Sequence, residues 1–550
     1  MSKIQELLRQ RRHEELWRMC CGFIDLSLEE FMAIQKALLL EQINFLKGCK
    51  IGKKVMRGLL PETVEEFREQ VPLTTYADYC PELIERRDNV LPAKPVHWAR
   101  TSGKSAEYTC KWIPISRGQW EELSSVLCAP RLFATCRHKG DVSGISTNSR
   151  VLYATAPLPY VSGVIACKTE EDFGFRYFPA PNESEQLTFM ERLEKGFWMA
   201  LSEGMDGFYG LSGVLVAIGE RFQHGASNVK LASLLAQPKV LLRLIRGRLR
   251  SVLQRRQMLP KDLWKIKGIS CGGTDGVVYR DKIAYMWGVR PLDVYAGTEG
   301  LVIAMQTWDY TGMTFVPNLN FLEFIPEDEH FKCLHDHSYQ PKTVLLNEVK
   351  AGQNYEVVIT NFHGGAMVRY RIGDMIRITA LRNEHIGIDI PQMAFDRRAD
   401  DLIDIAGFTR LTEKIIWQAI ENTGIPYTDW TGRKEVVGDK PVLRLYIELK
   451  DGYVPGKKPI KLAIHEQLKK LDADYTDLEL MLGLVPIEVT VLPSGAFAEY
   501  IAKRVSDGAD LAHLKPRHLN ASDEVISMLR MGPKSKLSID IVEIGAKVKQ

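Results

Sequence analysis

The 550-residue chain has no Cys-x-x-Cys pair, and its ten cysteines all fall between Cys20 and Cys333. That scatter, with Cys20 and Cys21 adjacent, fits reduced thiols better than a disulfide framework. No apolar run approaches the roughly 20 residues that a membrane span requires. Arg9, Arg11, Arg12, Glu14, Glu15 and Arg18 interrupt the apolar residues near the start, so no secretory signal is expected. An excess of one charge is also missing. Lys and Arg number 72 against 69 Asp and Glu, a net charge of +3, which gives no bulk attraction for a polyanion. No nucleic-acid motif, internal repeat or low-complexity segment is evident. These absences leave a cytoplasmic globular protein with no nucleic-acid partner. Its 45% hydrophobic and 26% charged residues are ordinary for that class. Its length exceeds one core, so at least two domains are expected.

The chain is organised around Tyr295-Ala-Gly-Thr-Glu-Gly300 and the pair Gly272-Gly273 before it. The apolar run 267–271 reads as a short buried strand that breaks into Gly-Gly-Thr-Asp-Gly276. Residues 281–288 have helical spacing, and Val294-Tyr295 reads as a second strand. Two glycines at a strand end let a flat ligand lie against backbone, and Thr298 with Glu299 puts a hydroxyl and a carboxylate at the next strand end.

Three more pieces stand in a fixed order around this stretch. Upstream is Thr101-Ser-Gly-Lys-Ser105, followed by Lys111 and Pro114. Downstream are Val368-Arg-Tyr-Arg-Ile-Gly-Asp374 and Arg398-Ala-Asp-Asp-Leu-Ile-Asp-Ile-Ala-Gly407. In this order they resemble the core motifs of the adenylate-forming superfamily. Within it, Tyr355–Asn361, Leu492-Pro-Ser-Gly-Ala-Phe497 and His513-Leu-Lys-Pro-Arg517 resemble the auxin-responsive-promoter amido synthetases. The resemblance runs from about Phe31 to Leu519. It implies an α/β fold with a large N-terminal adenylate-forming domain (1–395), a hinge linker (396–407) and a smaller, mobile α+β C-terminal domain (408–550).

The resemblance also implies an activity: ATP-dependent activation of a carboxylic acid as its acyl-adenylate, then acyl transfer to an amino acid amine with release of AMP and pyrophosphate. ATP and Mg2+ are the implied cofactors. Coenzyme A as acceptor, giving a thioester, is the alternative product, and a nucleotide-binding protein that has lost catalysis is an alternative of another class. Thr101, Ser102, Gly103 and Lys111 would serve pyrophosphate. Gly272 and Gly273 would serve adenine, Tyr295 and Thr298 the adenine and α-phosphate region, and Glu299 the metal. Asp374 would accept from both ribose hydroxyls, which a two-oxygen carboxylate suits. Arg398 would contact the nucleotide, Asp400 would be the hinge, and Lys515 would be the catalytic lysine of the C-terminal domain. Tyr160, Ser162 and Gly163, with Ser212, lie in glycine-broken apolar segments that resemble acyl-pocket linings. The chain departs from the family pattern at Lys104, Ser105, Ala106 and Glu107, where a second glycine and two threonines are usual, and at Arg397, where a glycine is usual.

Elsewhere, residues 2–20 and 28–47 read as structural helices. Strands are expected over 151–155, 315–325, 343–348, 355–360, 368–378, 442–449 and 487–492, and helices over 411–421 and 460–471. The stretch 327–339 reads as a loop whose His330, Cys333, His335 and His337 have spacing compatible with zinc. Residues 239–256 hold six arginines among leucines and valines. This helix is expected to be a solvated face, with contact to an anionic membrane surface as the lesser reading.

Overall fold

A computed structural model describes residues 1–101, 110–223, 238–272, 276–336, 339–399, 402–406, 409–438, 440–450, 460–482, 485–506, 516 and 518–532. The contacts separate two compact units, one covering Met1–Asp400 and the other built from residues after it.

The first unit opens with helices from Lys3 onward, followed by a small antiparallel pair, β1 (Pro95–Arg100) and β2 (Trp112–Ser116). Its main element is an eleven-stranded sheet. The strands are β3 (Arg150–Ala154), β4 (Arg176–Phe178), β5 (Gly207–Leu211), β6 (Gly268–Gly272), β7 (Leu292–Gly297), β8 (Leu301–Met305), β9 (Met313–Phe315), β10 (Asn320–Pro326), β11 (Asn354–Asn361), β12 (Tyr370–Ala380) and β13 (Gln392–Arg398). Their spatial order is β10-β11-β12-β13-β9-β8-β7-β6-β5-β3-β4. The half from β4 to β7 is parallel, with helical crossovers such as Val161–Phe173 and Gly276–Trp287, and the half from β7 to β10 is antiparallel. β7 is the seam between them. A parallel strand covered on both faces must be apolar along its length, which is how Gly268–Cys271 reads and how it is buried.

The helix Leu28–Lys47 starts at a capping box in which Ser27 and Glu30 satisfy each other's backbone N–H. It docks on the antiparallel half through two buried glutamines. Gln35 donates to the carbonyls of Pro317 and Asn320 and accepts from the Leu322 N–H, and Gln42 donates to the Gly365 carbonyl and accepts from the Gly364 N–H. Trp17 from an earlier helix packs 5.8 Å from both Phe133 and Trp308, closing the core over the sheet.

Three expectations are corrected. The run 315–325 is broken, with β9 ending at Phe315 and β10 starting at Asn320. The stretch 343–348 is no strand. Only Val344 bridges to Phe324, and the Glu348 side chain and backbone both bond Leu345 to close a turn. The stretch after Pro326 is a helix, Glu327–His335, because Glu327, Asp328 and Glu329 occupy its first turn, where the helix dipole favours negative charge. Within 396–407, β13 continues to Arg398 and the fully buried Leu402–Ile405 forms a further strand, so most of that stretch is ordered sheet.

The second unit is α+β. β14 (Leu402–Ile405) pairs with β15 (Thr409–Thr412), and β16 (Tyr427–Val437), β17 (Lys440–Leu449) and β18 (Ile487–Val491) form a three-stranded sheet, backed by helices Glu413–Glu421 and Ile460–Leu471. The segment 492–497 turns into the helix Ala496–Ser506, and the Glu448 carboxylate accepts from the Gly495 and Phe497 N–H groups there.

Candidate active site

The C-terminal ends of the parallel strands carry most of the residues singled out from the sequence. In open α/β sheets this is the edge where ligands bind, because the crossover helices begin there and leave a crevice. Gly272 closes β6 opposite Val294, and a Cβ built on it would meet nothing within 4 Å, so the space beside this strand end is open. Tyr295 lies near the end of β7, followed by the buried Thr298 and by Glu299.

From the antiparallel half, β12 brings Tyr370, Ile372 and Asp374 on one buried face at a spacing of two. The register of β12 slips beside Gly373, which takes φ 78°, in the left-handed region where a side chain is strained. Asp374 then sits opposite Arg398 of β13. Its carboxylate accepts from the Tyr295 hydroxyl at 2.8 Å and from the Arg398 guanidinium at 2.6 Å, one partner on each oxygen. Burial, then the neighbouring Asp374 charge, holds the Tyr295 phenol well above its ordinary pKa, so it stays a donor. The Tyr295 ring packs at 6.2 Å from Phe395.

A second cluster lies beside the first. The Lys111 ammonium donates to the Tyr370 hydroxyl at 3.0 Å and stands 3.6 Å from the Glu299 carboxylate, with the rings of Tyr76 and Tyr370 each 5.7 Å away. Thr101 and Lys111 face each other at the ends of β1 and β2. The Thr101 N–H donates to the Lys111 carbonyl, and the Lys111 N–H donates to the Thr101 hydroxyl, both at 3.0 Å. The turn after β7 is fixed from below by two asparagines: Asn361 donates to the Glu299 carbonyl and Asn320 to that of Gly300. Burial followed by the Glu299 charge raises the Tyr370 phenol as well.

The segment after β3 is a tight turn into the helix Val161–Phe173. The Ser162 hydroxyl is committed to the Ala156 carbonyl at 2.7 Å. Gly163 is required by close backbone approach, since a Cβ there would lie 2.2 Å from the Leu158 nitrogen. Tyr160 caps the helix, with the Arg100 guanidinium 5.6 Å from its ring centre. Ser212 opens the helix after β5. Its buried hydroxyl and that of Thr155, just beyond the adjacent β3, have no hydrogen-bond partner at full geometry among the described residues, and their polar neighbours are Cys271 and Tyr153, respectively. Two such hydroxyls at neighbouring strand ends are a fit for a polar ligand group. A cavity of about 50 Å3 near Arg131, Tyr177 and Tyr209 opens instead at the N-terminal ends of these strands, marked by Gly207 and Gly268, away from the cluster.

Tyr370, Tyr76, Thr155, Asn320 and Asn361 were not among the residues selected from the sequence. Tyr370 had a signal, because it shares the strand alternation of Asp374. The asparagines had none, since their partners lie 62 and 20 residues away. Ser102, Gly103, Gly273, Asp400 and Lys515 lie outside the described residues. The zinc expectation meets a different arrangement. His330 is buried with its Nδ1 2.7 Å from Glu356, which Arg371 also engages at 2.6 Å, and among the described residues no group of three or more acidic, His or Cys side chains is placed to hold a metal. A metal ion at Glu299 would therefore rest on one protein carboxylate completed by phosphate oxygens and water, which is a usual way for Mg2+ to be held.

Family models for the GH3 N-terminal, central and C-terminal domains match residues 20–156, 313–398 and 412–524, together more than half of the chain. The chain belongs to the GH3 family. Among its GH3 relatives, a jasmonoyl-L-amino acid synthetase of Oryza sativa subsp. japonica is 29% identical over 226 residues, 38% of this chain and 37% of that protein. An indole-3-acetic acid-amido synthetase of Arabidopsis thaliana is 27% identical over 222 residues, 37% of this chain and 34% of that protein. The matched region thus spans little more than a third of these curated relatives. In fold, the chain is similar to a GH3 acyl acid amido synthetase solved with 2,4-DB (TM-score 0.51, 17% identity, 94% of this chain and 96% of that one). It is also similar to a 2-hydroxyisobutyryl-CoA ligase solved with its acyl-AMP and CoA (TM-score 0.53, 15% identity, 92% of each chain).

Proposed function

We propose that this GH3 protein activates a carboxylic acid with ATP and transfers the acyl group to an amino acid amine. The observation that carries this reading is the joining of three distant motifs at one strand edge: Lys111 beside Glu299 and Tyr370, and Asp374 between Tyr295 and Arg398. A carboxylate is a poor electrophile. Its oxygen attacks the α-phosphorus of ATP, the bond to pyrophosphate breaks, and the resulting mixed anhydride is open to attack at carbon. The amine nitrogen then forms the amide, AMP leaves with the anhydride oxygen, and the amine proton is released.

The residues divide this work by chemistry. Lys111 neutralises charge that builds on the departing phosphates, and Thr101 supports it with Ser102 and Gly103. Asp374, oriented by Tyr295 and Arg398, accepts from the ribose hydroxyls through its two carboxylate oxygens. Tyr295 and Arg398 fix the orientation of that carboxylate. Gly272 and Gly273 leave room for the base. When bound, Mg2+ at Glu299 supplies Lewis-acid stabilisation of the phosphate oxygens. Tyr160, Ser212 and Thr155 border the acid. Lys515 is the candidate lysine for adenylation, and Asp400 the point about which residues 408–550 turn between the two half-reactions.

The test is a product assay. With ATP, magnesium and an accepted acid, the protein should release AMP and pyrophosphate, and single amino acids should raise AMP release and give an amide by mass spectrometry. A thioester formed with coenzyme A instead would replace the amide reading by the ligase one. Failure of every acid in an aromatic and aliphatic panel to support pyrophosphate exchange, while ATP still raises the melting temperature, would favour a nucleotide-binding protein without catalysis.

A further inference from the structure

The helix Pro238–Leu253 has no role in the site above. It packs on the first unit along Val240, Gly247 and Ser251, which are buried. Gly247 permits close approach, since a Cβ there would lie 2.6 Å from the Leu263 side chain. Arg243 donates to the carbonyls of Ala200 and Leu201, and Arg250 to that of Asp262, so these two arginines tie the helix down.

The face turned away from the protein is unusual. Leu242, Ile245, Leu249, Val252 and Leu253 are 49, 48, 58, 57 and 83% exposed. At about 100° per residue they fall in one arc of about 100°, opposite the buried line. Exposed Lys239 and Arg246 border this arc on one side and exposed Arg248 on the other. The helix contains no acidic residue, although the whole chain carries a net charge of only +3. Beside it, a cleft of about 520 Å3 is lined by Lys239, Arg243, Arg246 and Arg250 together with Glu203 and Asp262, whose carboxylates are paired with Arg176 and Arg256.

We propose that this helix seats on the surface of an anionic lipid bilayer. The apolar arc enters the acyl boundary, and the flanking side chains of Lys239, Arg246 and Arg248 reach the phosphates. Charge decides against a second copy of the same face, because two helices with five basic and no acidic residues repel each other. The sequence alone gave the amphipathic period and left the solvated reading in front. The outward direction of the leucines is what the structure adds.

The experiment is vesicle flotation of the full chain with phosphatidylcholine alone and with phosphatidylcholine mixed with phosphatidylserine. Binding is expected only to the phosphatidylserine vesicles and should weaken as salt is raised. Each basic residue near an anionic surface contributes about fivefold to partitioning, so Arg246→Glu with Arg248→Glu should lower it by at least about 25-fold. Leu249→Asp with Leu253→Asp should abolish it. All four positions are exposed, so the variants should keep the wild-type melting temperature and circular dichroism. Absence of binding to anionic vesicles, equal binding to neutral ones, or full binding by either folded double variant would overturn the proposal. So would a dimer in sedimentation velocity that Leu249→Asp with Leu253→Asp dissociates, in the absence of lipid binding.

Discussion

Asp374 joins the two halves of the candidate nucleotide site, and replacing it separates structural from chemical roles. Its ion pair with Arg398 is 2.6 Å long, with the side chains only 10% and 11% exposed. Removing one partner of a buried pair costs about 3–5 kcal/mol. The Tyr295 bond, to a charged acceptor, contributes about 1.5–3 kcal/mol. The two share one carboxylate and do not add, and solvent reaches the pair slightly, so Asp374→Ala should lose about 3–4 kcal/mol in total. Asp374→Asn keeps an oxygen for the Tyr295 hydroxyl but loses the charge and turns an N–H2 donor toward Arg398 in place of an acceptor, so it should recover only part of the alanine loss. Urea unfolding is the assay, followed on the first unit's own transition, because a chain of two units need not unfold in one step. Both variants should also lose acid-dependent pyrophosphate exchange. An alanine variant within about 1 kcal/mol of wild type would refute the energetic reasoning. An asparagine variant with wild-type exchange would refute the role in ribose binding.

Other perturbations test separate parts. Lys111→Met should slow pyrophosphate exchange by about two orders of magnitude, with partial recovery in Lys111→Arg; an unchanged rate removes Lys111 from the phosphate site. Lys515→Ala should slow adenylate formation yet still convert a supplied acyl-adenylate, and equal loss in both half-reactions would make it structural. Gly163→Ala would place a methyl 2.2 Å from the Leu158 nitrogen and should lower the melting temperature, at a cost of about 1–3 kcal/mol; a wild-type melt would contradict the close approach. His518 donates from Nε2 to Asp429 at 2.9 Å and from Nδ1 to Glu413 at 2.7 Å, and stacks on Trp430 at 4.6 Å. The Asp429 hydrogen bond leads in raising its pKa above the ordinary value. A raised folded pKa gives stability that is full below about pH 6.5 and is lost as pH rises through the folded value. The second unit should therefore melt lower at alkaline pH, and His518→Gln should flatten that trend; an equally steep trend in the variant would exclude His518 as its source.

The motif order was legible because strand ends repeat a local grammar: an apolar run, a glycine break, then a polar residue. That grammar located β6, β7 and β12, with Gly272 and Tyr295 at or near strand ends, whereas Asp374 follows the break at Gly373 inside β12. It could not pair Lys111 with Tyr370, because no local pattern joins residues 259 apart. The same limit explains Asn320 and Asn361. The false strand at 343–348 had the right residues, but the Glu348 carboxylate competed for the Leu345 N–H and turned the backbone instead. β16 was missed because Arg433, Lys434 and Glu435 mask its alternation. Those charges are met in three dimensions, where Glu435 pairs with both Arg433 and Arg444.

The seam at β7 also has a kinetic consequence. The contacts that complete the nucleotide cluster span 79 residues between Tyr295 and Asp374 and 259 between Lys111 and Tyr370. The crossovers of the parallel half join residues 22 to 61 apart, and loop-closure entropy grows with separation, so the 259-residue closure of Lys111 on Tyr370 is the costliest. During synthesis the parallel strands emerge first, so they form before β12 and β13 exist to meet them. An early intermediate would therefore hold Gly272 and Tyr295 in place while lacking Asp374, Arg398 and any grip on a ribose. Under the proposed assignment, nucleotide would bind only the late, sheet-complete state and draw the folding equilibrium toward it by mass action, so ATP added during refolding should raise the yield of native protein.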